Sequence, residues 1–141
     1  MRTAPKLTVV GDATANDSDK TYTVPAGRAY TVRSIGVRLV TDATVGNRQL
    51  DILITDASDN LHLKFAAGAV QAASLTRDYV FGPGLPNDTA FAAGAMARAI
   101  PQDLVVPGGF KIRVYDSAAI AAAADDLTVR ILVQETVEEA D

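Results

Sequence analysis

The sequence predicts an all-β fold: an antiparallel two-sheet sandwich, jelly-roll-like, with about eight or nine strands. Apolar and polar residues alternate with a period of two in several stretches, as expected for strands that bury one face. Turn residues separate these stretches at intervals of roughly 8 to 15 residues, which is typical of sandwiches and barrels. The motif V-P-small-G-x-x-apolar-x-V occurs at 24–32 and again at 106–114. It indicates either two similar turns or two equivalent corners of a double Greek key.

Two of the clearest strands form a predicted β-hairpin. Apolar positions alternate at 48–56 and again at 61–65, and the polar turn 56–60 joins the two stretches. Two further stretches, 110–114 and 127–133, alternate in the same way. The weaker strand candidates lie at 7–10, 21–24, 76–81, 96–100 and 104–106.

The stretch 29–41 is long for a single strand, and the parity of its apolar residues changes partway. Tyr30 and Val32 have one parity, whereas Ile35, Val37 and Leu39 have the other. One extra residue near Arg33–Ser34 would return all of them to one face of the sheet. We therefore predict a β-bulge or bend at that point.

Two alanine-rich segments, 66–74 and 117–126, interrupt the β pattern. Alanine favours helix, but isolated helices this short are marginal in water. Each segment is predicted to be either a loop with one short helical turn or a packing surface against another subunit. The region 82–101, rich in Gly, Pro and Ala, is predicted to be a long connection.

The 141 residues, of which 48% are apolar, fit one domain. The predicted parts are an extended N-terminal arm at 1–20, a β-sandwich domain at 21–135 and an acidic C-terminal tail at 136–141. Residues 1–134 carry 13 acids and 13 bases, so the net charge of −4 comes from the acids after them. This neutral body lacks the basic footprint of a nucleic-acid binder, and no run approaches the ~18 to 20 apolar residues of a membrane span. We therefore expect neither nucleic acid nor membrane as a partner.

Few residues could support catalysis or metal binding. The chain has no cysteine, which excludes disulfides, thiolate metal sites and thiol catalysis. The single histidine, His62, lies mid-strand, where we expect it to face solvent rather than serve a catalytic triad or a three-histidine metal centre. The acidic segment 11–20 superficially resembles a calcium loop, but it lacks the required Gly and Glu and ends on Lys20. We therefore predict that the chain is not an enzyme and has no catalytic, cofactor-binding or metal-binding residues.

Aromatic and basic side chains leave alternatives open. The four tyrosines could form a sugar-binding face or occupy core and sheet-rim positions: Tyr22, Tyr30, Tyr79 and Tyr115. Six arginines fall mainly on predicted outward faces, where they could pair with Asp51 and Asp78 or form an anion- or protein-binding patch: Arg33, Arg38, Arg48, Arg77, Arg113 and Arg130. Asp125 and Asp126 are expected to end the second alanine-rich segment, because neighbours along a strand point to opposite faces and make a poor acid–base pair.

Several phrases of the sequence, between about residues 20 and 135, resemble small structural proteins of tailed bacteriophages. They are YTVPAGRAYTV at 22–32, TVGNRQ at 44–49, GAVQAASLTR at 68–77, GPGLP at 82–86 and VPGGFKIRVYDSAAI at 106–120. Small jelly-roll members of this kind include decoration, or cement, proteins, which typically sit as trimers over the junctions of the capsid lattice. The resemblance implies a virion structural protein on the capsid surface, assembled in the host cytoplasm and without catalytic residues or cofactors. It also implies two kinds of partner, further copies of the chain in a homotrimer and the major capsid protein or another virion protein.

From these observations we hypothesise that loops 66–74, 82–101 and 117–126 build the homotrimer and capsid contacts. The N-terminal arm, residues 1–20, which we also call the leader, is expected to dock on the shell. Deletion of residues 1–19 would therefore weaken attachment while leaving the fold intact. The alternative function is a carbohydrate-binding β-sandwich module of a phage tail or host-recognition structure. That function would need an aromatic platform.

Overall fold

A computed structural model describes residues 5–91 and 94–137, and these residues form ten β-strands. Each of the ten stretches predicted as a strand contributes one, so these described residues have one or two strands more than the eight or nine estimated from the sequence. In chain order they are β1 (Lys6–Val10), β2 (Asp19–Thr23), β3 (Arg28–Val40), β4 (Leu50–Thr55), β5 (Leu61–Ala66), β6 (Thr76–Pro83), β7 (Ala95–Ile100), β8 (Val105–Pro107), β9 (Lys111–Asp116) and β10 (Asp126–Val137).

The strands form two sheets, which confirms the predicted all-β sandwich. The large sheet has the order β1-β10-β3-β6-β7, with β8 also paired to β3, and the small sheet has the order β2-β9-β4-β5. The pair β3/β10 belongs to the large sheet and the pair β4/β9 to the small one, so two successive antiparallel pairs are wound across the sandwich, as in a jelly roll. One pair departs from the antiparallel prediction, because β6 and β7 run parallel.

The predicted bulge in β3 is confirmed. Ser34 pairs with Leu132 of β10, and Val32 pairs with the next residue, Val133, so Arg33 is the extra residue. Tyr30, two positions before Val32, is buried on the same side as the apolar residues after the bulge. The extra residue therefore keeps one apolar face on a strand of 13 residues.

The core lies between the two sheets and is built from the inward residues of both. Alternation along each strand supplies these residues, and each fully buried Val, Leu, Ile or Phe side chain contributes about 1.5 to 3 kcal/mol to stability. Members with no exposed surface include Val32, Ile35, Leu39, Leu50, Ile52, Tyr79, Phe81, Leu127, Ile131 and Val133.

The two copies of the V-P-small-G motif lie side by side. The Val24 N–H donates to the Phe110 carbonyl at 2.9 Å, and the Gly109 N–H donates back to the Val24 carbonyl at 2.8 Å. Gly27 and Gly109 occupy equivalent motif positions, and both have positive φ, 78° and 85°. This reciprocal contact favours the interpretation of the motifs as two equivalent corners of the sandwich.

The leader is largely part of the sandwich rather than a separate arm. Residues 6–10 form β1, which pairs with β10 along its full length. Farther along, the Val129 N–H donates to the Asp12 carbonyl at 2.7 Å and the Leu127 N–H donates to the Asp17 carbonyl at 2.8 Å. Deletion of residues 1–19 would remove this strand and these bonds, so the structure predicts that it destabilises the sandwich, contrary to the expectation from the sequence. At the other terminus, β10 extends to Val137, and the rest of the predicted acidic tail lies outside the described residues.

Two predictions for the loops, those for segments 66–74 and 82–101, are corrected. Segment 66–74 contains no helical turn; it ends β5 and then forms turns around an isolated bridge between Arg48 and Gln71. Segment 117–126 closes a single turn, in which the Asp125 N–H donates to the Ala121 carbonyl at 2.8 Å. The region 82–101 is not one long connection, because β6 continues to Pro83 and β7 begins at Ala95. Because β6 and β7 are parallel neighbours, the chain must return along the sheet between the end of β6 and the start of β7.

Candidate functional site

The predicted contact loops lie together at one end of the sandwich, which we call the loop end. It consists of the segments 41–49, 66–75, 89–91 and 117–125, and 89–91 is the part of the predicted connection 82–101 that reaches this end. The first two are joined by reciprocal backbone bonds between Arg48 and Gln71, at 2.8 and 3.0 Å. The third packs on the second, since a Cβ added at Gly68 would lie 2.6 Å from the Thr89 side chain. Segment 117–125 reaches the others through Arg48 and Asp125.

Arg48 anchors the loop end from inside. Its side chain has no exposed surface, although it was predicted to face outward. The Nε atom donates to Asp125 Oδ2 at 2.8 Å, and Nη2 donates to Asp125 Oδ1 at 3.1 Å and to Asp42 Oδ1 at 2.8 Å. The Nη1 atom donates to the carbonyls of Thr44 and Gly46, both at 2.8 Å. All five guanidinium N–H donors are therefore satisfied, which a buried arginine requires.

The charges of this cluster reinforce one another. Hydrogen bonding to Asp125 raises the pKa of Arg48 above its usual value, so the guanidinium stays protonated. The pKa of Asp42 lies below its usual value, chiefly because the Thr44 backbone N–H donates to its carboxylate at 3.0 Å and also because Arg48 is close. Asp125 additionally accepts the Asp42 N–H at 2.9 Å. One ion-pair cluster thus fixes both the first and the last segment of the loop end.

Asp116 and Gln71 fix the remaining backbone. The buried Asp116 carboxylate accepts the N–H groups of Gln49 at 2.8 Å and of Ala118 at 3.0 Å, which shapes the start of segment 117–125. The Gln71 side chain donates to the Leu39 carbonyl at 2.8 Å and accepts the Tyr79 hydroxyl at 2.8 Å. The loops are therefore held by buried polar contacts and not by packing alone.

The outer surface of the loop end is rich in small apolar side chains, with the exposed polar residues Thr44, Asn47, Ser74 and Ser117 among them. Val45 is 91% exposed and Val70 is 49% exposed. The exposed alanines are Ala43, Ala72, Ala90, Ala118, Ala119, Ala122, Ala123 and Ala124. Small side chains lose little conformational entropy when a partner covers them. An apolar surface held rigidly from beneath can therefore bind protein without large reorganisation.

His62 lies on β5 and faces solvent, as predicted. Its Nε2 atom is 3.1 Å from Asp56 Oδ2, and its ring centroid is 5.1 Å from that of Phe110. Hydrogen bonding to His62, with the Asn60 backbone N–H, lowers the pKa of Asp56 to about 2. The hydrogen bond between His62 and Asp56 therefore spans the hairpin turn.

The tyrosines are divided between separate places. Tyr79 is buried against Phe91 in an edge-to-face contact with centroids 5.3 Å apart. Tyr22 stacks on the buried Tyr30 at 6.1 Å, and burial raises the pKa of Tyr22 to about 12. Tyr115 carries the Arg113 guanidinium over its ring, 3.9 Å from the centroid. These four rings do not combine into one exposed face, so the sugar-binding interpretation has no platform among them.

The predicted pairing of arginines with acids is confirmed for one of the two named acids. Arg38 forms a two-bond contact with Asp78 across β3 and β6, at 2.8 and 3.1 Å. Asp51 pairs instead with Lys64 of β5, at 3.8 Å. Arg113 pairs with Asp19 by two hydrogen bonds.

The acidic segment 11–20 surrounds the ammonium group of its own residue Lys20. The Lys20 side chain is almost fully buried, and its Nζ atom donates to the Thr14 carbonyl at 2.8 Å and to the Asn16 side chain. Asp17 lies 3.3 Å and Asp12 3.8 Å from the same atom. Within residues 5–91 and 94–137, no three acidic or histidine side chains are grouped to hold a metal ion, and no helix is long and apolar enough to cross a membrane.

Comparison with known proteins gives no family. No protein-family model and no curated protein matches the chain. Among solved structures, infectious bursal disease virus (Gx strain) matches at 10% identity and a TM-score of 0.42, over 97% of this chain and 33% of that one. The arabinose-bound MgGH51 α-L-arabinofuranosidase matches at 11% and 0.42, over 94% and 22%, and Tobacco streak virus coat protein at 8% and 0.34, over 96% and 88%. The chain thus spans a third or less of the first two structures, and all three TM-scores lie below 0.5.

Proposed function

We propose that this chain is a virion structural protein of the decoration, or cement, type. It is a non-enzymatic protein that binds the outer shell of a tailed phage and stabilises the shell by protein–protein contacts. The contact surface is the loop end. The copies on the shell form the homotrimer that the sequence resemblance implies.

The observation that carries the proposal is the exposed apolar surface of the loop end above the buried Arg48 cluster. A loop tip with a valine as exposed as Val45 gains little within the isolated chain, whereas a partner surface would bury it. The cluster beneath it fixes the backbone in advance, so less entropy is lost on binding.

The sequence resemblance supports the same surface. The phrases at 44–49, 68–77 and 106–120 resemble phage structural proteins, and they supply much of the loop end. Loops 66–74 and 117–126, for which alanine content alone suggested contact, lie in it as well. The two lines of argument therefore converge on one end of the sandwich.

The test uses Val45→Asp in the full chain. The probe is empty shells assembled from the major capsid protein of the genome that encodes this chain, and the readout is co-sedimentation. We expect binding to weaken by about tenfold or more, because the substitution places a charge in an apolar contact. The matched control is Leu61→Asp, which changes an equally apolar, exposed side chain on the outer face of the small sheet and leaves binding unchanged.

Three results would contradict the proposal. Parent protein that does not sediment with the shells would exclude the shell-binding role. Equal binding by parent and Val45→Asp would exclude the loop end as the contact surface. Equal weakening by Val45→Asp and Leu61→Asp would show that added negative charge, rather than the loop end, controls attachment.

A further inference from the structure

The outer face of the large sheet carries a second group of exposed apolar side chains, on strands rather than loops, around the charged residues Arg38, Asp78 and Arg130. Its exposed members lie on β1, β10 and β6: Leu7 and Val9, 64% and 60% exposed, with Leu132 and Val80. Gly36 of β3 lies at its centre, in a shallow depression of about 460 Å³. Among residues 5–91 and 94–137, no segment covers this face. We propose that it binds the same face of a second copy of this chain, with two-fold symmetry.

Gly36 is the first indication that something approaches this face. It pairs with Arg130 on β10 and with Val80 on β6, in the interior of the sheet. Its backbone has no positive φ, and a Cβ added to it would meet only the Arg130 carbonyl oxygen, at an ordinary 3.7 Å. Gly108 differs, since a Cβ there would lie 2.8 Å from the Pro25 carbonyl oxygen. The fold therefore does not require glycine at position 36, and glycine in a strand interior is typical of sites where another backbone comes close.

The two halves of the face have complementary shapes. On the β1 and β10 side the outward residues are bulky, namely Leu7, Val9 and Leu132. On the β7 side they are Ala95, Ala97 and Ala99. When a two-fold axis parallel to β3 relates the two copies, the bulky side chains of one copy pack against the small side chains of the other. The same operation repeats the contact twice, as an isologous interface requires.

The charged side chains of the face take defined positions under the same operation. Arg130 lies one strand to one side of β3, and Asp78 lies one strand to the other side, two residues farther along. Rotation about β3 brings Arg130 of one copy over Val80 of the other, two residues from Asp78. It also brings the two Arg38 side chains together on the axis, where each is paired with the Asp78 of its own chain. Asp78 is bound to Arg38 within its own chain, but the side chain is 41% exposed and a carboxylate has further acceptor sites. Two such inter-copy contacts would form.

The size of the face approaches that of a standard protein–protein interface. Five strands spaced about 4.8 Å apart give a width of about 24 Å, and six residues along a strand give about 20 Å. The projected area of about 500 Å² rises with side-chain relief toward the ~800 Å² per partner of a standard interface. Face-to-face packing of two sheets at about 10 Å, with strands nearly aligned, is common in sandwiches.

The test is the mass of the full chain in solution over a range of concentrations, by sedimentation equilibrium. In solution, where no shell is present to assemble the proposed homotrimer, the parent is expected to associate to twice the monomer mass of 14.7 kDa. Gly36→Val is expected to raise the dissociation constant by about tenfold or more, because its side chain fills the central depression. The same variant should raise the melting temperature of the monomer, since valine favours strands and has room within the chain. A merely destabilising substitution would not produce both effects.

A second pair of variants separates the face from general surface charge. Leu132→Asp is expected to weaken association, whereas Leu61→Asp, on the outer face of the small sheet, leaves it unchanged. A parent that stays monomeric at about 100 µM would overturn the inference. So would a dimer, or a trimer, that persists in both Gly36→Val and Leu132→Asp. The shell-binding role is judged separately by Val45→Asp, so either proposal can fail without the other.

Discussion

Two cations lie inside the sandwich, and each holds a loop in place, but their surroundings differ. Arg48 has no exposed surface and directs its donors at two carboxylates and two backbone carbonyls. Lys20 is 4% exposed and directs its ammonium group at the oxygens of the leader segment 11–18. Arg48 joins two segments of the loop end, whereas Lys20 joins the leader to β2.

The acids that accompany the two cations are what set them apart. Asp125 is as deeply buried as Arg48, so that pair has left water together. Asp12 and Asp17 remain 45% and 44% exposed beside Lys20. Removal of a buried cation is most costly where its counter-ion cannot return to water. The loop end should therefore depend more on its cation than the leader does.

The largest effect is expected for Arg48→Met. The variant keeps an unbranched apolar chain but leaves the Asp125 carboxylate buried without its partner. We expect the free energy of unfolding to fall by about 3 to 5 kcal/mol. Urea unfolding at pH 7, followed by circular dichroism, measures this loss.

The control for Arg48→Met removes both charges, by adding Asp125→Leu. This double variant is expected to recover part of the loss, because no stranded charge remains. A loss below about 1 kcal/mol in Arg48→Met alone would mean that the cluster does not hold the loop end together.

Lys20→Met is expected to have a smaller effect, about 1 to 3 kcal/mol. The Thr14 carbonyl and the Asn16 side chain lose a charged donor, while Asp12 and Asp17 can be hydrated where they lie. The same urea titration compares the two variants directly. A loss equal to that of Arg48→Met would show that the exposure of the counter-ions does not decide the cost.

The alternation of the sequence places both Arg48 and Lys20 at buried positions, although their charge predicts exposure to solvent. Arg48 shares its parity with Leu50 and Ile52, which face the core. Lys20 stands four positions before the buried Val24 and has the same parity. Charge suggested an outward position for Arg48, but only its partner Asp125, 77 residues away, makes burial possible. Such a long-range pairing cannot be read from one sequence, whereas the strands and the bulge at Arg33 follow from local alternation.

The direction of β7 and the role of the leader lay beyond local patterns for a similar reason. Alternation identifies Met96 and Ile100 as inward residues but is the same for parallel and antiparallel strands. Leu7 and Val9 alternate like core residues, yet they point outward, and β1 is recognisable as part of the sheet only from its pairing with β10. The loop end could be anticipated from alanine content, but its convergence depends on the topology.

Acid is expected to destabilise both the leader segment 11–18 and the loop end. The pKa values of Asp12 and Asp42 lie below the usual 3.8, chiefly because the backbone N–H groups of Thr14 and Thr44 donate to these carboxylates. Carboxyl groups with a lowered pKa stabilise the fold above about pH 4, and this contribution is lost as the pH falls below that value. Asp12→Asn and Asp42→Asn should therefore each lose less stability than the parent between about pH 5 and pH 2.5. Urea unfolding across this range checks the slopes, and a steeper dependence in either variant would contradict the assignment.

The smallest effect is expected for an ion pair in which both side chains are partly exposed to water. Arg113 and Asp19 form two hydrogen bonds, at 2.9 and 2.7 Å, but their side chains are 38% and 46% exposed. Arg113 also stacks on Tyr115, so a single substitution would mix two losses, and a double-mutant cycle with Asp19 is needed to isolate the pair. We expect a coupling energy below about 1 kcal/mol that decreases with added salt. A coupling of about 3 kcal/mol or more would equal the cost expected at Arg48, and exposure of the counter-ion would then not determine the strength of ion pairs in this sandwich.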